Sequence, residues 1–154
     1  MTSQVTKLRE IEVEAWINFL RAHSAVTRQF NGELLATHGL TINDFDVLAQ
    51  LARAPEQALK RVDLAESVLL TPSGITRLLK GLEAAGWVSN RPCAEDARVT
   101  YAVLTPEGTQ KLEEARKTHV ASVRALFSER FDKDELQALA SLLERLPMTT
   151  TPCD

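Results

Sequence analysis

Between residues 8 and 34 apolar side chains recur every three or four positions, at Leu8, Ile11, Ala15, Phe19, Ala22, Val26, Phe30 and Leu34, with charged residues between them. That spacing is one face of a helix, so residues 8–35 are predicted to form a long amphipathic helix. Trp16, Leu20 and His23 lie beside the stripe and widen it beyond what a single neighbour would cover. The helix should end before His38-Gly39, because glycine readily takes the left-handed conformation that closes a helix. Thr41 and Asp44 then stand like a capping box with Asp in place of Glu. A second helix follows, with Phe45, Leu48 and Leu51 on one face, until Pro55.

Glu56-Gln57-Ala58-Leu59 is too short and mixed to be more than a connector or a one-bridge strand. Residues 60–69 read as a short helix that buries Leu64, Ala65 and Val68. After a turn through Leu70 the chain restarts, with the Thr71 hydroxyl as cap and Pro72 at the first helical position, where a missing N–H costs nothing. Ile75, Leu78, Leu79 and Leu82 make the buried face of this helix and Gly86 stops it. Two helices joined by so short a turn form a helix-turn-helix, the second being the candidate recognition helix. Residues 87–91 and 99–104 are β-prone, the second run alternating clearly, and the polar, proline-led residues 92–98 link them into a hairpin. A hairpin attached to a recognition helix is a wing.

Thr105 before Pro106 repeats the cap-and-proline start and opens a helix with Leu112, Ala115, His119, Val123, Leu126 and Phe127 on one stripe. Asp132 caps a last helix in which Leu136, Leu139, Leu142, Leu143 and Leu146 repeat until Pro147, and residues 148–154 are expected to be a mobile tail. The fold class expected is mostly α with a small β-wing. Residues 41–105 would be a winged helix-turn-helix lobe, and residues 1–40 and 106–147 a helical dimerisation region. A dimer is expected because one small lobe cannot cover apolar stripes of that extent, and such stripes mark an interface. A two-fold pair would set two recognition helices against half-sites about 10 bp apart.

At 154 residues the chain can bury roughly 68–70% of the surface its unfolded form exposes, enough for a real core. No apolar run reaches the length of a membrane span and the N-terminus lacks the layout of a signal peptide, so the protein is expected to be cytoplasmic with no membrane partner. The net charge of −3 argues against a nucleic-acid partner if taken alone, since phosphate binding rests on Lys and Arg. Between residues 60 and 91, however, five bases (Lys60, Arg61, Arg77, Lys80, Arg91) face three acids (Asp63, Glu66, Glu83), while much of the acid lies elsewhere. A weakly basic middle in an acidic frame fits a small DNA footprint. Cys93 and Cys153 cannot make a metal site by themselves, and two reduced thiols are the plain reading. No metal-spaced histidines, glycine-rich phosphate loop or recognisable nucleophile is present, so neither an enzyme nor a cofactor is expected.

Motifs in the middle of the chain carry a resemblance. Asp96-x-Arg98 followed by Leu104-Thr105-Pro106-x-Gly108, the helix segment Thr76-Arg77-Leu78-Leu79-x-x-Leu82-Glu83-x-x-Gly86, and Asp63-Leu64-Ala65 before it together resemble the MarR family of bacterial transcriptional regulators, over about residues 8–146. The resemblance implies an obligate dimer and DNA binding through the winged helix-turn-helix. It also implies release from DNA when a small, frequently aromatic anion binds between the dimer helices and the DNA-binding lobe. Gly81 departs from the family, in which a basic or polar residue is common at that position. Redox-sensing members use a cysteine near the start of the N-terminal helix, and this chain has none there.

On these grounds Ser73, Gly74, Thr76, Arg77 and Lys80 are the candidate double-stranded-DNA contacts of the recognition helix. Ser73 and Thr76 are short enough to approach base edges or phosphates, Lys80 reaches the backbone, and Gly74 permits close approach. Arg77 has a second reading, as a brace of the wing held by Asp96. Arg98 is the candidate for a narrow minor groove, where negative potential concentrates; the competing reading is a surface ion pair with Glu95 or Asp96. Arg91, Lys60 and Arg61 are candidate phosphate contacts. For a small aromatic or anionic effector the candidates are Trp16, Phe19, His23, His38, Phe45 and Asp46, with core packing the competing reading of the aromatics. The function expected is a homodimeric DNA-binding regulator, a repressor released by a small, possibly phenolic, ligand. The alternatives are a winged helix used for protein contact and a redox-responsive regulator acting through Cys93.

Overall fold

The computed structural model describes residues 2–68 and 72–147, with side chains for 10–68 and 73–147. The expected Thr71 cap and the expected tail at 148–154 lie outside the described residues. The elements in order are α1 (Thr2–His38), α2 (Ile42–Arg53), a single 3-10 turn (Pro55–Gln57), β1 (Ala58–Lys60), α3 (Arg61–Ser67), α4 (Pro72–Ala84), β2 (Val88–Pro92), β3 (Thr100–Leu104), α5 (Pro106–Ser128) and α6 (Lys133–Leu143). This is a mostly helical chain with one small antiparallel sheet. It divides into two compact units, Met1–Ile42 and Asn43–Asp154. Among the described residues no helix is long and apolar enough to cross a membrane.

In the first unit α1 begins ahead of Leu8, because backbone hydrogen bonding can propagate past the end of an apolar stripe. It runs through His38, and Gly39 then takes φ +66° with its N–H on the Leu35 carbonyl at 3.1 Å. The stripe divides along its length: Phe30 and Leu34 are buried, whereas Ile11, Val13, Trp16, Ile17, Phe19 and Leu20 are exposed in the single chain. The Asn31 side chain accepts from the Ile42 N–H at 3.0 Å and so satisfies a first-turn donor of α2.

The second unit holds the winged lobe. Its buried residues include Val47, Leu48 and Leu51 of α2, Leu64 and Ala65 of α3, Ile75, Leu79 and Leu82 of α4, Val88, Ala102 and Leu104 of the sheet, and Leu112 and Ala115 of α5. The sheet corrects two sequence expectations. Residues 58–60 form a true edge strand, giving the order β1-β3-β2 with Ala58, Leu59 and Lys60 opposite Val103, Ala102 and Tyr101. The helix predicted from residue 60 therefore starts at Arg61, since Lys60 is extended at φ −62°, ψ 141°. A three-residue strand shows no readable alternation; what places it is the free edge of β3, whose polar backbone groups need partners.

Before β1, Pro55 and Glu56 turn the chain, with the Gln57 N–H on the Ala54 carbonyl at 3.0 Å. Glu56 and Gln57 both hold left-handed backbone, φ 55° and 54°. At the other end, α6 carries the expected Asp132 cap as a full capping box: the Asp132 carboxylate accepts from the Glu135 N–H at 2.8 Å, and the Glu135 carboxylate from the Asp132 N–H at 2.9 Å. No residue of α6 is buried in the single chain, and Leu142 and Leu146 are exposed.

Candidate nucleic-acid interface

The sequence of α4 sorts its side chains by helical period. Ile75, Leu79 and Leu82 are buried, while Ser73, Thr76, Arg77, Lys80 and Gly81 form an exposed stripe along the opposite side, with Gly74 half-buried at its edge. Apolar residues every three or four positions anchor the helix against α3 and β2, so the polar stripe is held outward on a rigid element. Arg77 and Lys80 make no hydrogen bond or ion pair with the described residues. Gly86, at φ +78°, ends the helix: its N–H meets the Glu83 carbonyl at 3.0 Å and the Trp87 N–H meets the Leu82 carbonyl at 3.0 Å. That pair of bonds is a Schellman motif, which needs a left-handed residue at the glycine position. Inside the helix, Gly81 has open space where a Cβ would point. Gly81→Ala should therefore stabilise the fold by about 0.5–1 kcal/mol, measured by urea unfolding, because alanine loses less entropy on entering a helix. A destabilised variant would reveal a neighbour at that position.

The wing tip is organised by one carboxylate. Asp96 Oδ1 accepts from the Arg98 backbone N–H at 3.0 Å and from Arg98 Nε at 3.2 Å, and the Asp96 carbonyl accepts from the Val99 N–H at 3.0 Å. The Cys93 N–H closes the hairpin on the Val99 carbonyl at 2.9 Å. The Asp-x-Arg spacing is thus a local turn that holds the arginine by its base. Arg98 remains 92% exposed, so its terminal nitrogens project outward. The ion pair expected as the competing reading is present and leaves the outer edge of the guanidinium available. Asp96 serves Arg98, so the second reading of Arg77, as its partner, is not what the structure contains.

Of the phosphate candidates, Lys60 and Arg91 lie in one row across the sheet, each opposite Tyr101 in its strand pairing. Both are exposed; Arg91 packs over the Tyr101 ring at 5.4 Å and meets Glu56 at 3.2 Å. Arg61 is placed differently from the expectation. Its Nη2 is 2.6 Å from both Glu83 Oε1 and Asn90 Oδ1, a contact that is half-buried at Glu83 and exposed at Asn90.

In the sequence, Leu104-Thr105-Pro106-x-Gly108 reads as a helix cap and as part of the family resemblance; in the structure it is a junction. The Thr105 hydroxyl accepts from the Gly108 N–H at 2.9 Å, capping α5, and donates to the Gly86 carbonyl at 2.7 Å, while the Thr105 N–H reaches the Trp87 carbonyl at 3.1 Å. Lys111 covers the Trp87 ring at 5.1 Å. One threonine therefore ties the end of α4, the exit of the wing and the start of α5. A hydroxyl and a glycine three residues apart, directly after a strand, were the signal that could have found it.

The effector candidates fall into both units. On α1, Trp16 stacks with Phe19 at 6.3 Å and Phe19 with His23 at 6.4 Å between ring centroids, and all three are exposed; His38 is half-buried at the helix end. In the second unit Phe45 meets His119 at 4.9 Å, and Asp46 accepts from the buried Gln50 amide at 3.0 Å. Loss of hydration by neighbouring protein pushes the Asp46 carboxyl above its usual range, opposed more weakly by the Gln50 bond and by Arg53. A raised carboxyl favours the folded state below the ordinary carboxylate range, and this contribution is lost as pH rises through the raised value. Asp46→Asn should then raise the unfolding midpoint at pH 7 and lose that advantage at pH 3; an equal effect at both would show that the carboxyl is unperturbed.

The comparisons with known proteins agree with this geometry. A family model described as the MarR family matches residues 38–99. The HTH-type transcriptional repressor YetL of Bacillus subtilis (strain 168) is 33% identical over 114 residues, which cover 72% of this chain and 68% of that protein. Among solved structures, AbsC, a MarR family transcriptional regulator from Streptomyces coelicolor, is 29% identical with a TM-score of 0.76 over 87% of this chain and 90% of its own. Sco3205, another MarR family regulator from the same organism, solved in complex with DNA, is 26% identical with a TM-score of 0.78 over 86% of this chain and 83% of its own. The chain belongs to the MarR family of DNA-binding transcriptional regulators, which are not enzymes.

Proposed function

We propose that this chain acts as a homodimeric repressor that reads a pseudo-palindromic operator. Ser73, Gly74, Thr76, Arg77 and Lys80 of α4 enter the major groove, Arg98 enters the adjacent minor groove, and Lys60 and Arg91 meet phosphates. The observation that carries this reading is the outward polar stripe of α4 beside a wing whose arginine is held by its base. The DNA complex of the related Sco3205 and the repressor name of YetL support it. Dimer formation, with residues 1–40 and 106–147 as the pairing region and 41–105 as the DNA-binding lobe, is supported by the apolar side chains left exposed at Ile11, Val13, Trp16 and Leu20 of α1 and at Leu142 and Leu146 beyond the core.

The test is protection of DNA upstream of the protein's own coding sequence. Two protected half-sites about 10 bp apart, with two chains bound per duplex by light scattering, are expected. A single protected half-site with one chain bound would refute the symmetric arrangement. Release by a small aromatic or anionic ligand belongs to the same reading, with Trp16, Phe19 and His23 of α1, and His38, Phe45 and Asp46, as its candidate contacts. A thermal-shift screen should then find a stabilising compound that also weakens DNA binding; a stabiliser without that second effect would not be the effector.

A further inference from the structure

Arg61 stands where three elements meet. It opens α3, Glu83 lies in the last turn of α4, and Asn90 is the middle residue of β2. One guanidinium nitrogen, Nη2, is 2.6 Å from both the Glu83 carboxylate and the Asn90 side-chain oxygen. The Arg61 and Glu83 side chains are 27% and 25% exposed, so water competes little for this contact. Arg61 Nε is buried with no hydrogen-bond partner among the described residues. A guanidinium serving a phosphate would keep its donors free; here one nitrogen is committed to a half-buried acid and to an exposed amide. Strand pairing sets Asn90 opposite buried Ala102, which in turn faces Leu59, so Asn90 shares the face of Ala102 rather than the row of Lys60, Tyr101 and Arg91.

We propose that Arg61 is a positioning residue that fixes the angle between the recognition helix and the wing, so that α4 and Arg98 reach neighbouring grooves together. The inference rests on the DNA-binding reading above. It assigns Arg61 and Glu83 one shared role, although their charges are opposite. Near DNA, an acid removed for its charge alone should tighten binding, whereas an acid removed from a brace should loosen it.

The experiment compares Arg61→Ala, Glu83→Ala, the double variant and Arg61→Ala/Arg98→Ala on one operator duplex. Glu83→Ala and Arg61→Ala should each weaken binding by about tenfold, and the double variant should be no more than about threefold weaker than either, as expected for residues that act as one unit. The salt slope should be unchanged, whereas removing a phosphate-binding cation would reduce it by about 1. In the Arg61→Ala background, removing Arg98 should cost less than in the parent, because the wing is already misplaced. Glu83→Ala binding as well as or better than the parent, with a reduced salt slope for Arg61→Ala, would overturn the proposal and make Arg61 a phosphate contact. Hydrogen exchange without DNA gives a readout that does not depend on operator binding: the Cys93 and Val99 amides should exchange faster in Glu83→Ala while α5 is unchanged. If the parent protein bound no DNA the functional reading would fall, yet altered wing exchange would still establish the brace, and unaltered exchange would overturn it.

Discussion

Gly108→Ala should lower the unfolding free energy by about 3 kcal/mol, an effect at the upper end for a single added methyl group. A Cβ at this position would fall well inside van der Waals distance of the Trp87 carbonyl oxygen, 2.8 Å from Leu104 Cδ1 and 2.9 Å from the Trp87 carbonyl carbon. Backbone cannot step aside as a flexible side chain would. The Trp87 carbonyl is held by the Thr105 N–H, and the residues before it are locked into the Schellman turn that ends α4. Relief therefore requires α5 to move off the junction, which breaks the Thr105 hydroxyl bonds to Gly108 and Gly86. Urea denaturation reads the loss, and DNA affinity should fall with it because helix end and wing exit share this joint. An alanine variant of parental stability would show that the joint is loose.

Arg98→Ala should weaken operator binding by about tenfold while barely changing stability. The stability effect is small because the arginine side chain is tied to the fold through an exposed ion pair with Asp96 at 3.2 Å, and such pairs contribute little. The binding effect is large because a narrow minor groove concentrates negative potential where the guanidinium would enter. Flanking sequence provides the sharper check. The parent should prefer operators whose flanks are A-tracts over the same operators with G·C flanks, and Arg98→Ala should lose most of that preference. An unchanged preference would move the contact away from Arg98.

Local chemistry made much of this fold legible. Pro72 and Gly86 bracket α4 as the cap rules require, and Asp132 opens α6. The alternation of residues 99–104 became β3, whose buried Ala102 and Leu104 sit two apart. What escaped was non-local or contrary to propensity. The strand β1 exists because β3 offers it an edge far along the chain, in the pairing of Ala58 with Val103, and three residues carry no period of their own. Pro55 marks the turn, but Glu56 and Gln57 adopt left-handed backbone without being glycine, so no residue type announced its conformation. The exposed polar stripe of α4 was readable from its period, whereas Arg61 resembles its neighbour Lys60 in sequence and differs from it through Glu83 and Asn90, 22 and 29 residues away.

The division of labour between a helix of modest charge and an anchoring wing is tested most directly by titrating a fluorescent duplex from the protein's own upstream DNA with the parent and with Lys80→Ala/Arg98→Ala, between about 50 and 200 mM salt. The parent should bind this duplex more tightly than a scrambled one, with affinity falling steeply and linearly on a log–log plot. The double variant should bind more weakly and with a salt slope shallower by roughly 2, about 1 for each cation removed. A double variant whose affinity and salt slope match the parent's would contradict the assignment of this surface to DNA.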